Sequence, residues 1–433
     1  MIIKRDLYLN QLVDKRKNGM IKVITGLRRS GKSFLLNNLY LNYLLSIGIS
    51  DDHIIRFAFD TDEDIDLLDN ILPEEKTRLD NGLVNSKKFR TFVNSKIKDD
   101  KDYYLLLDEI QNLDNFIGTL NGFLRHENFD VYVTGSNSRM LSSDIVTEFR
   151  GRGDEISVNP LSFKEYYSTV CGNFSFDDAW NEYITYGGMP LSVDRSEIEK
   201  QKYLKKLFNE TYLKDIIERN GVRDDEELEE VLNIISSSIG SLTNPKKLSD
   251  YFKSNKQKSI SPVTIKKYLD FLEDAFVIRK SMRYDIKGKK YINTPYKYYF
   301  SDIGLRNARL NFRQIEENHI MENIIYNELF IRGYSIDVGV VEINEKQSNG
   351  SYFRKQLECD FVVNLGDQKF YIQSALHIEN DEKRKQETQS LINIPDSFKK
   401  IIIVRDNIKS NIDENGIITV SLKDFLLDNS LLK

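Results

Sequence analysis

Apolar positions in the first 160 residues fall into short β-branched or aromatic runs separated by stretches with helical spacing. Lys22–Thr25, Ile54–Phe59, Tyr103–Leu107 and Val131–Thr134 read as strands, and Ser33–Leu39, close behind the first of them, reads as a helix. Strands alternating with helices predict a parallel sheet covered on both faces. From Pro160 to Gly240 the pattern turns helical, most clearly at Phe163–Tyr167 and Lys202–Asn220. Ser261-Pro262 is a helix start, an N-cap residue followed by proline at the first helical position. Ile265, Leu269 and Leu272 then share one face, while Thr264, Lys266, Lys267 and Asp270 face away. A short helix at Leu248–Phe252 precedes this one. Val277–Tyr284, a turn at Lys287–Lys289 and Tyr291 predict a hairpin after it. A last α/β segment starts near His319, with strands at Leu357–Asn364, Lys369–Ala375 and Lys400–Val404.

A chain of 433 residues exceeds what one hydrophobic core supports, so several domains are expected. The pattern divides it into residues 1–160, a helical lid-like region at 161–240, a basic region at 241–300, and 301–433. Hydrophobic residues at 40% and charged residues at 30% predict a soluble globular protein. No apolar run approaches the roughly 18 residues that span a bilayer, which argues against a membrane partner. Met1–Asp6 lacks the apolar core of a signal peptide, so a cytoplasmic location is expected. The two cysteines, Cys171 and Cys359, form no C-x-x-C pair, which argues against a disulfide framework or a thiolate zinc site. His53, His126, His319 and His377 are scattered and form no ligand spacing. The net charge of −5 conceals a local asymmetry: residues 241–300 hold 14 Lys and Arg against 5 Asp and Glu, a net of +9. That block is a candidate anion-binding surface, and helix, helix, hairpin is the order of a winged helix. It is therefore the candidate site for DNA or RNA. A lid or interdomain packing unit with a solvated basic face fits the same pattern.

One motif carries definite chemistry. Gly26-Leu27-Arg28-Arg29-Ser30-Gly31-Lys32-Ser33 fits G-x-x-x-x-G-K-[ST] between a strand and a helix. The glycines let the backbone wrap a phosphate, with Lys32 directed at the β/γ-phosphates of ATP and the Ser33 hydroxyl at Mg²⁺. The apolar strand Tyr103–Leu107 runs into Asp108 and Glu109. Asp108 is the second metal-side residue, and Glu109 is the candidate general base. Beyond Val131–Thr134, Ser136 and Asn137 are candidates to touch the γ-phosphate or its water. Arg152 is the candidate arginine finger or sensor, with Arg28 and Arg29 in the loop itself.

Further motifs make a resemblance specific: Leu107–Gln111, Thr134–Ser138, Gly151-Arg152, Pro160–Glu165, Tyr186–Pro190 and Tyr299–Leu305. With them the chain resembles a group of bacterial and archaeal AAA-type P-loop ATPases that end in a restriction-endonuclease-like domain. The resemblance implies ATP hydrolysis with Mg²⁺ and such an α/β domain at 301–433. In that setting Glu322, Glu328 and Asp360 resemble nuclease acids, while Gln373 and Ala375 stand where an acid and a lysine are required. Cleavage is therefore not expected unless a lysine such as Lys355 reaches Asp360. Two tasks stay open, an ATPase switch or motor working with nucleic acid, and a signalling ATPase gating assembly with a protein partner or as a homo-oligomer.

Overall fold

The structure is a computed structural model that describes residues 2–135, 151–255, 259–346, 351–378 and 380–432. The chain divides into two units, Met1–Pro160 with Asp274–Phe276, and Leu161–Glu273 with Val277–Lys433. Among the described residues no helix is long and apolar enough to cross a membrane.

The first unit is built on five parallel strands, β1 (Ile21–Thr25), β2 (Ile54–Ala58), β3 (Tyr103–Asp108), β4 (Phe129–Thr134) and β5 (Gly153–Ser157). Their order is β2-β3-β4-β1-β5, so β4 separates the strand leading to the glycine loop from the strand leading to the two acids. Alternate residues enter opposite layers. Tyr103, Leu105 and Leu107 of β3 join one core with Val131 and Val133. Tyr104 and Leu106 join the other with Tyr132, Ile24 and the leucines of the helix after the loop. Continuous burial on both faces explains why these strands read as unbroken apolar runs. β5 is absent from the sequence pattern because it is an edge strand in which only Ile156 is fully buried.

The second unit carries an eight-stranded mixed sheet. Its strands are β6 (Ile278–Asp285), β7 (Lys290–Phe300), β8 (Ser335–Lys346), β9 (Tyr352–Leu365), β10 (Gln368–Ala375), β11 (Lys399–Val404), β12 (Asn411–Ile412) and β13 (Ile417–Ser421). The order is β12-β13-β11-β10-β9-β8-β6-β7. The expected hairpin is present as β6 and β7, but it does not stand apart with residues 241–300. β6 pairs in parallel with β8, Arg283 opposite Val338, which makes the hairpin the border of the larger sheet. The physical reason is burial: Val277, Ile278, Tyr298, Tyr299 and Phe300 are too apolar for a free-standing wing and sink into this core. Along the outer edge of β7, Thr243 exchanges two backbone hydrogen bonds with Tyr296, at 2.7 and 3.0 Å. The stretch from Lys290 to Thr294 is largely exposed.

Three motifs that carried the resemblance meet inside this unit. The buried Asp302 carboxylate accepts N–H groups from Gly188 at 2.7 Å and Leu305 at 2.9 Å. A Cβ on Gly304 would lie 2.0 Å from the Tyr186 carbonyl oxygen, and one on Gly188 would lie 2.2 Å from that of Leu161. These glycines are required by close backbone approach, so the motifs build a packing joint. Burial without a facing cation pushes Asp302 up to about 6, against the backbone N–H bonds that pull it down.

Candidate nucleotide site

The loop after β1 is held in shape by its neighbours. Gly26 has φ +127°, and a Cβ there would lie 2.1 Å from the Val158 carbonyl oxygen. Gly31, at φ +100°, turns the chain into the following helix. Ser30 Oγ donates to the same Val158 carbonyl at 3.0 Å. Arg5 is buried and donates to the Ser30 carbonyl at 3.0 Å and to the Asn159 carbonyl at 2.6 Å. One guanidinium thus ties the chain before β1, the loop and the segment after β5 into one rim.

Lys32 is 4% exposed and donates to the Gly26 and Leu27 carbonyls at 3.0 and 3.1 Å. Burial pulls its ammonium down to about 8; Glu109 and Asp108 oppose this, while Arg28 adds to it. The two acids therefore lie close enough to act electrostatically on the lysine of the loop.

At the other wall, Ser33 Oγ donates to Asp108 Oδ1 at 3.1 Å, and Asn37 Nδ2 donates to Asp108 Oδ2 at 3.3 Å. Thr134, the last residue of β4, donates its hydroxyl to Asp108 and accepts the Glu109 N–H at 3.1 Å. Glu109 sits at φ +51°, an uncommon conformation for a non-glycine residue, and accepts from the Gln111 amide. Burial raises Asp108 above the usual carboxylate range, opposed by its bonds from Thr134 and Ser33. One hydroxyl and one carboxylate in contact form a donor set suited to Mg²⁺, which takes few carboxylates and retains waters.

Gly26–Ser33, Asp108 and Glu109 are thus brought together, with Arg28 and Arg29 exposed on the loop. Arg152 is not with them. It precedes β5, and its carbonyl accepts the Ile21 N–H at 2.9 Å, at the opposite end of β1 from the loop. About five residues of strand, roughly 16 Å, separate it from the phosphate site of its own chain, because parallel pairing sets its end of β5 beside the start of β1. Ser136 and Asn137 lie outside the described residues. Thr134, the last residue of β4, is the one at this strand end seen beside Asp108 among the described residues. Arg5, Asn37 and Asn159 carried no signal in the motif, although a polar residue closing an apolar strand, as Thr134 does, is one.

The glycine loop and the acidic strand end both lie within a stretch matched by a family model. A family model described as an AAA domain matches residues 18–167, and one described as a domain of unknown function matches residues 177–316. An uncharacterized protein of Haemophilus influenzae is 33% identical over 430 residues, covering 98% of this chain and 99% of its own. An uncharacterized protein of Methanocaldococcus jannaschii is 27% identical over 404 residues, covering 89% and 80%. Among solved structures, Cdc6p from Pyrobaculum aerophilum is 15% identical and covers 75% of this chain and 96% of its own, with a TM-score of 0.31. The chain belongs to the family of the Haemophilus influenzae protein, and its N-terminal part is an AAA-type P-loop ATPase domain.

Proposed function

We propose that this chain binds ATP with Mg²⁺ at Gly26–Ser33 and hydrolyses it, working as a molecular switch or motor. The observation that carries this reading is the 3.1 Å bond from Ser33 to Asp108, which joins the glycine loop to the acidic strand end at one point. Mg²⁺, when bound, neutralises charge on the β/γ-phosphate oxygens; Ser33 and Asp108 are the residues to hold it. Lys32 exchanges the Gly26 and Leu27 carbonyls for phosphate oxygens, and the loop N–H groups orient the chain of phosphates. Glu109 accepts a proton from the attacking water, and Thr134 fixes both acids through its single hydroxyl.

The titration of Lys32 gives a direct test. Free protein loses the Lys32 charge above about pH 8, whereas a bound phosphate holds the ammonium protonated. Binding then takes up a proton, so ATP affinity should be level below pH 7 and fall by up to about tenfold per pH unit above 8. Calorimetric titration from pH 7 to 9.5 measures this. A flat profile would remove Lys32 from phosphate contact.

We further propose that the ATPase works with nucleic acid through residues 241–300. Supporting this, Lys246, Lys247, Lys253, Lys266 and Lys267 are all exposed, and the helix Pro262–Asp274 buries Ile265, Leu269 and Leu272 on its other side. Replacing Lys266 and Lys267 with Glu should weaken DNA or RNA binding and reduce its salt dependence by about two counterions. Wild-type protein that binds neither at low salt would favour the protein-assembly reading.

A further inference from the structure

The C-terminal unit holds a buried group of charges that the ATPase site does not use. Lys297, on β7, is 3% exposed. Its ammonium lies 2.9 Å from Glu322 Oε1, on the helix Glu317–Ile331, and 2.7 Å from Glu358 Oε1, on β9. Tyr299 donates to the same Glu322 oxygen at 2.7 Å. Asp360, also on β9, accepts the Ser374 N–H at 2.8 Å and lines a cavity with Glu322 and Gln373. Lys355, the lysine the sequence offered for Asp360, instead pairs with Glu345 at 3.0 Å.

The resemblance to nuclease-like domains implies a divalent cation here, and the residues do not fit one. A divalent ion of the Mg²⁺ class needs carboxylate oxygens at about 2.1 Å, and beside a buried ammonium it must displace a cation rather than a neutral donor to reach them. Lys297 and Tyr299 both bond one Glu322 oxygen, and Ser374 bonds one oxygen of Asp360. Gln373 adds only a neutral oxygen.

We propose that the Lys297 ammonium stands permanently where a metal would act, so that the C-terminal unit is a metal-free, non-cleaving site whose acids are balanced from within. Like charge keeps a divalent ion away from an ammonium, and full burial prevents Lys297 from swinging out to admit one. Its position two residues before Tyr299, on a strand whose end is buried, holds it in register.

The test is Mn²⁺ binding to the nucleotide-free full chain, followed by electron paramagnetic resonance. Wild type and Asp360→Ala should bind Mn²⁺ alike, because no site depends on Asp360. Lys297→Met, shown folded by circular dichroism, should gain one site at least tenfold tighter than any in the wild type, and Asp360→Ala added to it should remove that site. Wild-type binding lost in Asp360→Ala would overturn the proposal, whether or not Lys297→Met folds. A folded Lys297→Met that gains no site would overturn it equally.

Discussion

Lys32→Ala is expected to lower ATP turnover by at least about 100-fold, and Glu109→Gln by as much, through different steps. Lys32 is the buried cation of the loop, and its removal takes away both charge and the bond network to Gly26 and Leu27. Nucleotide affinity should fall with turnover. Glu109 stands outside the loop, so its amide variant should bind ATP as tightly as wild type and fail to hydrolyse it. Binding of a fluorescent ATP analogue together with phosphate release separates the two. Full turnover by purified Glu109→Gln would withdraw the general-base role, and full binding by Lys32→Ala would withdraw the phosphate contact.

Asp302→Ala should destabilise the second unit by about 2–9 kcal/mol, since it leaves two or three buried backbone N–H groups without acceptors at roughly 1–3 kcal/mol each. Asp302→Asn keeps an acceptor oxygen and should cost less. The carboxyl also gives a pH signature. Its value in the folded chain is raised to about 6, so folding favours the protonated form. Stability from this group is therefore full below about pH 4, declines as pH rises through 6, and is level above that. Urea unfolding between pH 4 and 8 reads both effects. A loss below about 1 kcal/mol in Asp302→Ala would mean that water or neighbouring carbonyls satisfy those N–H groups.

The candidate nucleotide site was legible because its chemistry is local in sequence. Gly26–Ser33 is one contiguous loop, and Asp108 and Glu109 announce themselves by ending an apolar strand. What escaped was whatever depends on long-range pairing. Arg5 meets Ser30 across 25 positions and Asn159 across 154. Neither is preceded by any pattern, since a single arginine before a helix is ordinary. The place of Arg152 could not be read because β5, a polar edge strand, was invisible, and only its register with β1 shows which end of the sheet the arginine occupies. Lys297 was counted as part of a basic surface. Its burial follows from Tyr298, Tyr299 and Phe300 beside it, which pull that end of the strand into the core. The motifs at Tyr186–Pro190 and Tyr299–Leu305 were likewise readable as a signature but not as a joint, because the close approach of a glycine to a neighbouring backbone carbonyl leaves no mark on hydrophobic spacing.

The outer edge of β7 has a consequence for solubility. An open strand edge presents unpaired N–H and C=O groups, a template on which another chain can add its own strand and begin to aggregate. Here the free stretch is short. Thr243 blocks it at Tyr296, and Pro295, beside that bridge, has no N–H to offer. Lys289 and Lys290, both exposed, open the strand with like charges that would face each other in a stacked pair. Part of the positive charge in this region therefore guards the protein against itself, whatever else the neighbouring lysines bind. Exchanging these two lysines for threonine would remove that guard, and precipitation on standing, rather than lost activity, would be its first sign.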